Sequence, residues 1–392
     1  MKQAEWLQRI KQMRFEEAYS GWTERRLTQE DAARLLGVCA RTFRRYIDRY
    51  EENGLDGLLD KRLTQVSHRR APVDEVMRLV DRYRRRHDGW SVKHYYAWYR
   101  RDGGSRSYSW VKNTLQSAGA VKKAAQRGAH RKQREPSPWA GMMLHQDGST
   151  HEWVPAVQWD LIVTMDDATN EHYSMFFCEE EGTQSSFEGV REVIEEHGLF
   201  CSLYTDRGSH YWQTPEAGGK VDKVNLTQFG RAMKQLGIEM IPAYSPEARG
   251  RSERAFGTHQ ARLPRELALA GITDMDAANA YIRDVYLPAF NAEFAHPSRE
   301  EGSAFVPCPS SVNLDDILCV QEERTVGKDN CVRLDGRVLQ LPADRHRYHY
   351  IKARVKVCRH RDGTLSVFHG PRRLARYDSQ GQLIQEDLPT AA

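Results

Sequence analysis

The sequence predicts a multidomain fold with helices at the front, an α/β region in the middle and short antiparallel strands at the end. Three observations indicate this order. The length of 392 residues suits two to four domains. The net charge of +4 divides into +14 over residues 1–140, −12 over 141–300 and +2 over 301–392. Hydrophobic residues repeat with helical spacing in the first region and with mixed or two-residue spacing in the others.

Residues 1–66 are predicted to form a helix-turn-helix domain. Thr28-Gln-Glu-Asp31 has the spacing of a capping box, and an apolar face follows it before Gly37 ends the helix. We expect that face to consist of Ala32, Leu35 and Leu36. The second helix should bury an i, i+3, i+4, i+7 stripe formed by Phe43, Tyr46, Ile47 and Tyr50.

Four arginines lie around the other side of this second helix: Arg41, Arg44, Arg45 and Arg49. An ordinary helical hairpin with a solvated face would explain one or two of them. Four on the second helix of a tight hairpin favour DNA binding, because guanidinium groups pair with guanine edges and phosphates in the major groove.

Residues 67–121 are predicted to form a second helical, winged-helix-like DNA-binding domain, with Arg106 and Lys112 as candidate DNA contacts. Its first helix should turn an apolar side inward, made of Val73, Val76, Met77 and Val80. Two further helices should do the same with Val92, Tyr95, Tyr96 and Tyr99, and with Tyr108, Val111, Leu115 and Ala118. A helical spacer that only tolerates DNA nearby is the alternative.

Residues 122–140 have the composition of a basic linker, closed by Pro136-Ser-Pro138. We expect this linker to lie along phosphates through Lys122, Lys123, Arg131 and Lys132.

Between Arg134 and Arg191 there are 56 consecutive residues without a lysine or arginine. Such a segment, flanked by predicted DNA-binding regions, would repel phosphate unless a cation were added. Hard divalent cations bound by carboxylate oxygens can supply the positive charge.

The acids of the central region, 141–300, follow predicted strands or begin a predicted helix. A strand over 142–147 ends in Asp147, and further strands over 159–165 and 172–178 form a meander with it. A strand over 200–205 runs into Asp206, and a last helix begins near Gly250 and carries Glu253. Helices alternate with the later strands, which predicts an α/β layer architecture.

The central region resembles the DDE transposases and retroviral-type integrases. Three motifs carry the resemblance: His145-Gln-Asp147-Gly-Ser, Thr205-Asp206-Arg-Gly-Ser, and Tyr244-Ser-Pro-Glu-Ala-Arg-Gly-Arg-Ser-Glu253-Arg. With its helix-turn-helix front, the chain looks closest to ISNCY-type transposases of bacterial insertion sequences. The resemblance implies an RNase H-like core with an integrase catalytic site.

By this resemblance Asp147, Asp206 and Glu253 are the catalytic residues and the metal ligands. Cleavage of a phosphodiester by two metals requires carboxylates that hold both ions. We expect two Mg²⁺ per active site, with Mn²⁺ as a substitute, because oxygen ligands suit both.

Two features depart from the family pattern. Asp206 and Glu253 are 47 residues apart, which is longer than usual, and the stretch 212–220 is predicted to be the inserted loop. The retroviral His/Cys zinc module is absent from the sequence, so the front should bind DNA without metal.

Other residues near the motifs have competing interpretations. Glu247 is an alternative third ligand, but it follows Pro246, before the predicted helix. Asp166 and Asp167 are expected to cap a turn, and His145 to pack behind Asp147. Arg249, Arg251 and Arg254 surround Glu253 and are expected to hold phosphates. Gly208 and Gly250 are expected to let the backbone approach the nucleic acid.

Residues 301–376 are predicted to form a linker and a small basic β-barrel. Asp335-Gly336 and Asp362-Gly363 are hairpin signals between alternating apolar residues. Its basic surface suits DNA, and a capping domain that only mediates assembly is the alternative. The tail 377–392 is expected to be disordered.

The seven cysteines are odd in number and scattered, so we expect reduced and mostly buried thiols. No signal peptide or membrane segment is visible, which predicts a cytoplasmic protein, associated with the bacterial nucleoid when bound to DNA.

The sequence therefore predicts a transposase that binds the terminal inverted repeats of its element, cleaves DNA strands and joins them to target DNA. Pairing two ends implies at least a dimer on double-stranded DNA, by resemblance to the family. An RNase H-like nuclease without strand transfer is one alternative. A domesticated DNA-binding regulator is the other, although all three acids at motif positions argue against it.

Overall fold

The computed structural model describes residues 3–59, 71–123, 135–216, 219–244, 250–343 and 347–385. The chain divides into two compact units, Met1–Asp81 and Arg82–Ala392. Each is described by itself.

The first unit contains the predicted helix-turn-helix. Helices α1 (Gln3–Thr23), α2 (Gln29–Leu35) and α3 (Ala40–Asn53) are followed by a short 3₁₀ turn. Thr28 caps α2 by accepting a hydrogen bond from the Asp31 amide at 3.1 Å. The core contains Phe15, Ala18, Ala32, Ala33, Phe43 and Ile47.

Two sequence predictions for this unit need correction. Leu35 is 64% exposed, because the buried side of α2 is formed by the two alanines instead. Helix α1 was not predicted, although its Phe15 packs against Phe43 with ring centroids 5.9 Å apart. All four arginines of α3 are exposed, on the side away from Phe43 and Ile47.

The second helical region consists of α4 (Val73–Arg86), α5 (Val92–Arg101) and α6 (Tyr108–Ser117). The predicted inward face of α4 was wrong: Val73 and Met77 are 67% and 65% exposed, whereas Leu79 and Tyr83 are buried. Leu79 and Tyr83 are four residues apart and therefore lie on the same face of α4. Tyr83 also donates a 2.6 Å hydrogen bond to the Trp90 carbonyl. In α6, Val111 and Leu115 are buried as predicted, but Tyr108 is exposed.

The central region is a mixed α/β fold. Strands β1 (Met143–Val154), β2 (Val157–Asp166) and β3 (His172–Cys178) form an antiparallel meander, and β4 (Ser202–Thr205) and β5 (Glu239–Pro242) extend it in the order β3-β2-β1-β4-β5. β4 pairs in parallel with both β1 and β5. This confirms the predicted α/β core.

Helices cover both faces of this sheet. Helices α7 (Thr183–His197) and α8 (Gln228–Leu236) pack on one face, in a cluster with Leu144 and Leu203. On the other face, α9 (Gly250–Ala270), α10 (Met275–Tyr281) and α11 (Leu287–Phe294) form a cluster with Trp153. Because neighbouring strand residues face opposite sides, β1 contributes to both cores.

Strand β1 is longer than predicted. It continues seven residues past Asp147 to Val154, because a tight turn at Pro155 and Ala156 returns the chain as β2. Asp147 therefore lies within a strand and not at its end. The segment 135–140, predicted as linker, is also part of this unit: Ala140 bridges to Ser303.

The tail contains α12 (Leu314–Ile317) and two antiparallel sheets. One sheet has the order β12-β11-β10-β9-β6, with β6 (Val320–Thr325), β9 (Arg354–Arg359), β10 (Leu365–His369), β11 (Arg372–Tyr377) and β12 (Leu383–Ile384). The other is the hairpin of β7 (Cys331–Leu334) and β8 (Arg337–Gln340). Asp335 and Gly336 form the two-residue hairpin turn and both have positive φ, a conformation that Asp-Gly pairs favour in such turns.

No closed barrel is found among the described residues of the tail, so that part of the prediction stays a prediction. The prediction that residues 377–392 are disordered was wrong as far as Ile384, because β12 pairs with β11. Residues 386–392 lie outside the described residues. Of the seven cysteines, Cys319, Cys331 and Cys358 are buried, whereas Cys39 and Cys201 are exposed, so the thiols are not mostly buried. No described helix is both long and apolar enough to span a bilayer.

A buried hydrogen-bonded chain fastens α9 to its neighbours. Tyr286 Oη lies 3.0 Å from His259 Nδ1, His259 Nε2 lies 3.1 Å from His172 Nε2, and His172 Nδ1 lies 3.0 Å from the Asn170 carbonyl. One assignment satisfies all three contacts: Tyr286 donates to His259, His259 to His172, and His172 to the carbonyl. Both rings are then neutral. Burial lowers the pKa of His172 to about 4 and that of His259 well below its usual range.

The hydrogen-bonded chain from Tyr286 to Asn170 predicts that the folded protein loses stability in acid. The histidine pKa values are lowered in the folded protein, so the unfolded chain binds more protons below about pH 6.5. Stability should be constant above that pH and fall towards pH 4 by about 1 kcal/mol per pH unit for each histidine. Urea denaturation between pH 7 and pH 5 measures this slope.

The double substitution His172→Gln/His259→Gln should reduce the slope, of which His87 and His94, whose pKa values burial also lowers, keep a part, and His349→Gln, at an exposed position, should leave it as in wild type. Equal slopes for the wild type and the double variant would contradict this account.

Candidate functional site

Asp147 lies within β1, and Asp206 directly follows Thr205, the last residue of the neighbouring parallel strand β4. The β1–β4 ladder pairs Met143 with Ser202 and His145 with Tyr204, a constant offset of 59 residues. Continuing that offset pairs Asp147 with Asp206. Residues directly opposite in a ladder share a face, so the sheet brings these two aspartates together.

The shared face is the one that α9 covers. On β1 the odd-numbered residues point towards α9, as Gln260 Nε2 shows by donating to Ser149 Oγ at 3.0 Å. Asp147, two residues earlier, lies on the same face. Its side chain is only 7% exposed, and its Oδ1 accepts a hydrogen bond from the Gly148 amide at 3.1 Å.

Glu253 is less closely associated with this pair. It lies in the first turn of α9, two helical turns before Gln260, which places it on the flank that faces β1. Its side chain is exposed. Among the described residues, no three histidine, cysteine, aspartate or glutamate side chains are close enough to hold a metal ion together.

Only some of the basic residues predicted to contact DNA lie within the described part of the chain. Arg254 is exposed, and its Nε donates to the Gly250 carbonyl at 2.7 Å. Lys112, Lys122 and Lys123 are exposed, and Arg106 is half-buried with its guanidinium 5.2 Å from the Trp110 ring centre. Glu247, Arg249, Arg131 and Lys132 lie outside the described residues, as does the side chain of Arg251.

A layer of buried hydrogen bonds supports the aspartates from the other face. Gln146 donates to Thr164 Oγ1 at 3.0 Å and to the Ser186 carbonyl at 3.2 Å, and it accepts from the Tyr211 hydroxyl at 3.2 Å. Trp212 donates to Thr205 Oγ1 at 2.9 Å. The residue before each aspartate is thereby fixed, so the stretch predicted as an inserted loop begins with a buried anchor.

Tyr211 reports the charge of the site. Burial raises the pKa of its hydroxyl well above the usual range, and the negative charges of Glu181, Asp147 and Asp206 raise it further. Three carboxylates therefore act on one phenol. Glu181 is the member that the sequence did not reveal.

Glu181 and His210 lie against the two glycines of the aspartate motifs. A Cβ on Gly148 would be 2.3 Å from Glu181 Oε2, and a Cβ on Gly208 would be 3.0 Å from both Asp206 Oδ1 and His210 Cε1. His210 Nε2 is 3.5 Å from Glu181 Oε1, close enough for an ion pair when the imidazole is protonated, although Nε2 makes no hydrogen bond among the described residues. The space left by the missing side chain of Gly208 is therefore occupied by Asp206 and His210, whereas the space next to Gly250 is open.

Asp166, Asp167 and His145 form a second polar group behind the site. Asp166 accepts from the Thr169 amide at 2.8 Å, so it caps the turn as predicted. Asp167 does not cap the turn; it accepts from the Ser137 amide at 2.7 Å and pairs with His145 Nε2 at 2.9 Å. His145 is buried and packs on Tyr204 with ring centres 5.0 Å apart, which agrees with the predicted packing role.

The donor set at the strand ends consists of carboxylate oxygens, which suits a hard cation such as Mg²⁺. Asp147 and Asp206 fit such an ion, because the register of β1 and β4 places them near each other, with Asp147 buried and Asp206 half-buried. Glu253 would complete the set only after the first turn of α9 approached them.

A helix-turn-helix unit joined to an α/β sheet with two aligned aspartates is the organisation expected of a transposase. The helix-turn-helix domain family matches residues 22–70, which include α2 and α3. The chain is 28% identical over 351 residues to a Sinorhizobium fredii protein named "Putative transposase y4bF", covering 87% of this chain and 75% of that protein. It is 28% identical over 223 residues to the transposase for insertion sequence IS1202 of Streptococcus pneumoniae, covering 57% of this chain.

These relatives confirm the resemblance to transposases of insertion sequences that the motifs indicated. The chain spans 47% of the length of the IS1202 transposase.

Two solved structures are more distant. One is a simian T-cell lymphotropic virus intasome with a PP2A regulatory subunit (TM-score 0.35, 14% identity, 73% of this chain and 93% of that one). The other is the HTLV-2 integrase catalytic core domain with magnesium (TM-score 0.29, 14% identity, 38% of this chain and 89% of that one). These scores are too low to support an argument.

The carboxylate cluster predicts that the site is a source of instability. Like charges close together in a partly buried place repel by an energy on the order of 1 kcal/mol. Asp147→Asn keeps the oxygen that accepts from Gly148 and removes one charge. In buffer without divalent cations, this variant should therefore have a higher free energy of unfolding than wild type by about 1 kcal/mol.

Asp274→Asn is the matched control, because Asp274 caps α10 away from the cluster and asparagine caps a helix equally well. Urea denaturation measures both variants. A loss of stability in Asp147→Asn would show that the cluster is not repulsive.

Proposed function

We propose that this protein is a DDE transposase that binds the terminal inverted repeats of a mobile element, cleaves DNA strands to give 3′-hydroxyl ends and transfers those ends into target DNA. The observation that carries the proposal is the register of the β1–β4 ladder, which, continued by two residues, places Asp206 after β4 beside Asp147 in β1. Each aspartate is followed closely by a glycine, Gly148 within β1 and Gly208 in the loop after β4. The similarity to named transposases supports the substrate class.

We assign Asp147 and Asp206 to the binding of Mg²⁺, for which Mn²⁺ should substitute, with Glu253 as the third carboxylate. Two ions held there would stabilise the attacking and leaving oxygens of the phosphodiester. The neutral, buried Tyr211 and the Gln146 layer keep water from the back of the two aspartates. The chain thus supplies a fixed pair of ligands and a third on an exposed helical turn.

The approach of Glu253 is the step in which DNA takes part. Its turn also carries Arg254, and Arg249 and Arg251 adjoin it in sequence. Phosphates bound by these guanidinium groups would draw the turn towards the sheet. Glu253 would then join Asp147 and Asp206 only when DNA is present, which restricts hydrolysis of other substrates.

Recognition of the terminal repeats is assigned to α3. Its four exposed arginines lie on the second helix of the helix-turn-helix, the position that enters a major groove. The second helical region, the linker lysines and the basic strands of the tail add contacts to the phosphate backbone. Because two element ends must be joined, the working form on DNA should be a dimer or a larger assembly.

Active-site substitutions test the chemistry. With Mg²⁺ and a duplex carrying the terminal repeat, wild type should nick the 3′ end and join it to target DNA. Asp147→Asn, Asp206→Asn and Glu253→Gln should each lower both rates on the order of 10³-fold, the usual effect of losing one essential electrostatic contact. Glu247→Gln should keep activity, and Asp274→Asn is the control.

Gel assays of nicking and joining distinguish the alternatives. Nicking without joining would indicate a nuclease, and binding with neither reaction would indicate a regulator. Full activity of Asp206→Asn would exclude the proposed chemistry.

Substitutions in α3 test recognition. Arg44→Ala or Arg45→Ala should weaken binding to the terminal repeat by about tenfold if the arginine contacts a base. If it contacts phosphate instead, the slope of log affinity against log salt should fall by about 1. Fluorescence anisotropy at several salt concentrations separates the two cases.

Arg34→Ala removes an equal charge from an exposed position of α2 and serves as the control. Equal losses for all three variants would argue that α3 is not the recognition helix.

A further inference from the structure

The contact between Glu181 and His210 joins two segments that the sheet itself leaves unjoined. The β1–β4 ladder stops at His145 and Tyr204, two residues before the aspartates. Beyond that point backbone hydrogen bonds between these strands no longer fix the distance from β1 to the loop after β4. Side chains can therefore contribute to the separation of Asp147 and Asp206.

Glu181 is held on the β1 side. It lies between β3 and α7, and its backbone amide donates to Asp160 Oδ2 on β2 at 2.6 Å. Its carboxylate rests against Gly148, the residue after Asp147, in space that any side chain at position 148 would fill.

His210 is held on the β4 side. Its ring packs on Tyr211 with ring centres 3.9 Å apart, and it lies beside Gly208, whose amide donates to Asp206 Oδ1 at 2.8 Å. The side chain is 17% exposed, and its Nε2 faces Glu181 Oε1 at 3.5 Å. The pair thus spans from the backbone next to Asp147 to the loop that contains Asp206.

We propose that Glu181 and His210 are positioning residues that set the spacing of Asp147 and Asp206 and thereby the affinity of the site for a divalent cation. This inference rests on the proposed function, because it assumes that those aspartates bind the cation. Outer contacts of this kind commonly change metal affinity by 10- to 100-fold.

Electrostatics without any positioning role predicts a different effect on cation affinity. Variants of Glu181 and His210 distinguish the two explanations. Loss of the Glu181 charge would weaken cation binding even without a positioning role. Removal of His210 takes away no negative charge, so through-space electrostatics predicts unchanged or tighter binding. Positioning predicts weaker binding for both.

Binding of Mn²⁺ alone to the full chain, followed by electron paramagnetic resonance of the free ion, measures the affinity without any catalytic step. Glu181→Gln and His210→Ala should each weaken binding about tenfold or more. Glu180→Gln removes the same charge from the exposed neighbour of Glu181 and should change the affinity less than twofold. His210→Gln retains a polar side chain facing Glu181 and should restore part of the affinity.

Thermal melting shows which variants fold, and if His210→Ala does not fold, Glu181→Gln, Glu180→Gln and His210→Gln decide. Wild-type or tighter binding by His210→Ala, or by His210→Gln where that variant decides, would overturn the inference, as would equal effects of Glu180→Gln and Glu181→Gln. Asp147→Asn is measured in parallel. If it binds Mn²⁺ as wild type does, the proposed cation site fails, whereas loss of binding in Asp147→Asn with normal His210→Ala rejects only the positioning role.

Discussion

The parallel pairing of β1 with β4 is the interaction on which the candidate site depends. Its register, continued by two residues, places Asp206 beside Asp147, which lies 59 residues earlier in the chain. The pairing is secured by burial on both sides, through Leu144 and Leu203 in one core and Trp153 in the other. A slip of one residue would turn Asp147 into the α7 core, where a charge has no place.

The same arrangement explains the charge pattern of the chain. The 56 residues without lysine or arginine include β1, β2, β3 and the first half of α7, so these strands contribute no lysine or arginine to the core. Positive charge comes instead from the helix-turn-helix, the second helical region and the tail. A polyanion can therefore be attracted by the ends of the chain while its approach to the centre still requires an added cation.

Sequence predicted the elements with strong local patterns and missed those that tertiary contacts decide. The strand His172–Cys178 was predicted with its observed bounds, and both aspartates were placed next to each other by motif order. The extension of β1 past Asp147 was missed because Gly148 and Ser149 are weak strand formers locally, and only pairing with β2 keeps them extended. Glu181 and His210 were missed because they meet across 29 residues; the glycines after each aspartate were the available signal. The inward face of α4 was assigned to Val73 and Met77 because apolar spacing alone cannot distinguish two overlapping helical stripes.

Helix α9 is held by buried contacts along its middle and near its C-terminal end, whereas Glu253 in its first turn is exposed. Its middle is fixed by the His259–His172 contact and by Gln260 on Ser149, and Arg262 makes two hydrogen bonds to Glu293 at 2.7 and 3.0 Å. Near its end, Glu266 lies 2.8 Å from His94 of α5; burial raises the pKa of Glu266, but contacts with His94, Arg101 and Tyr281 outweigh this and lower it to about 2. A shift of the whole helix would break these buried contacts together. If Glu253 is the third ligand, it can reach the aspartates by a change in the first turn of α9, where Glu253 and Arg254 are exposed, while the rest of the helix remains in place.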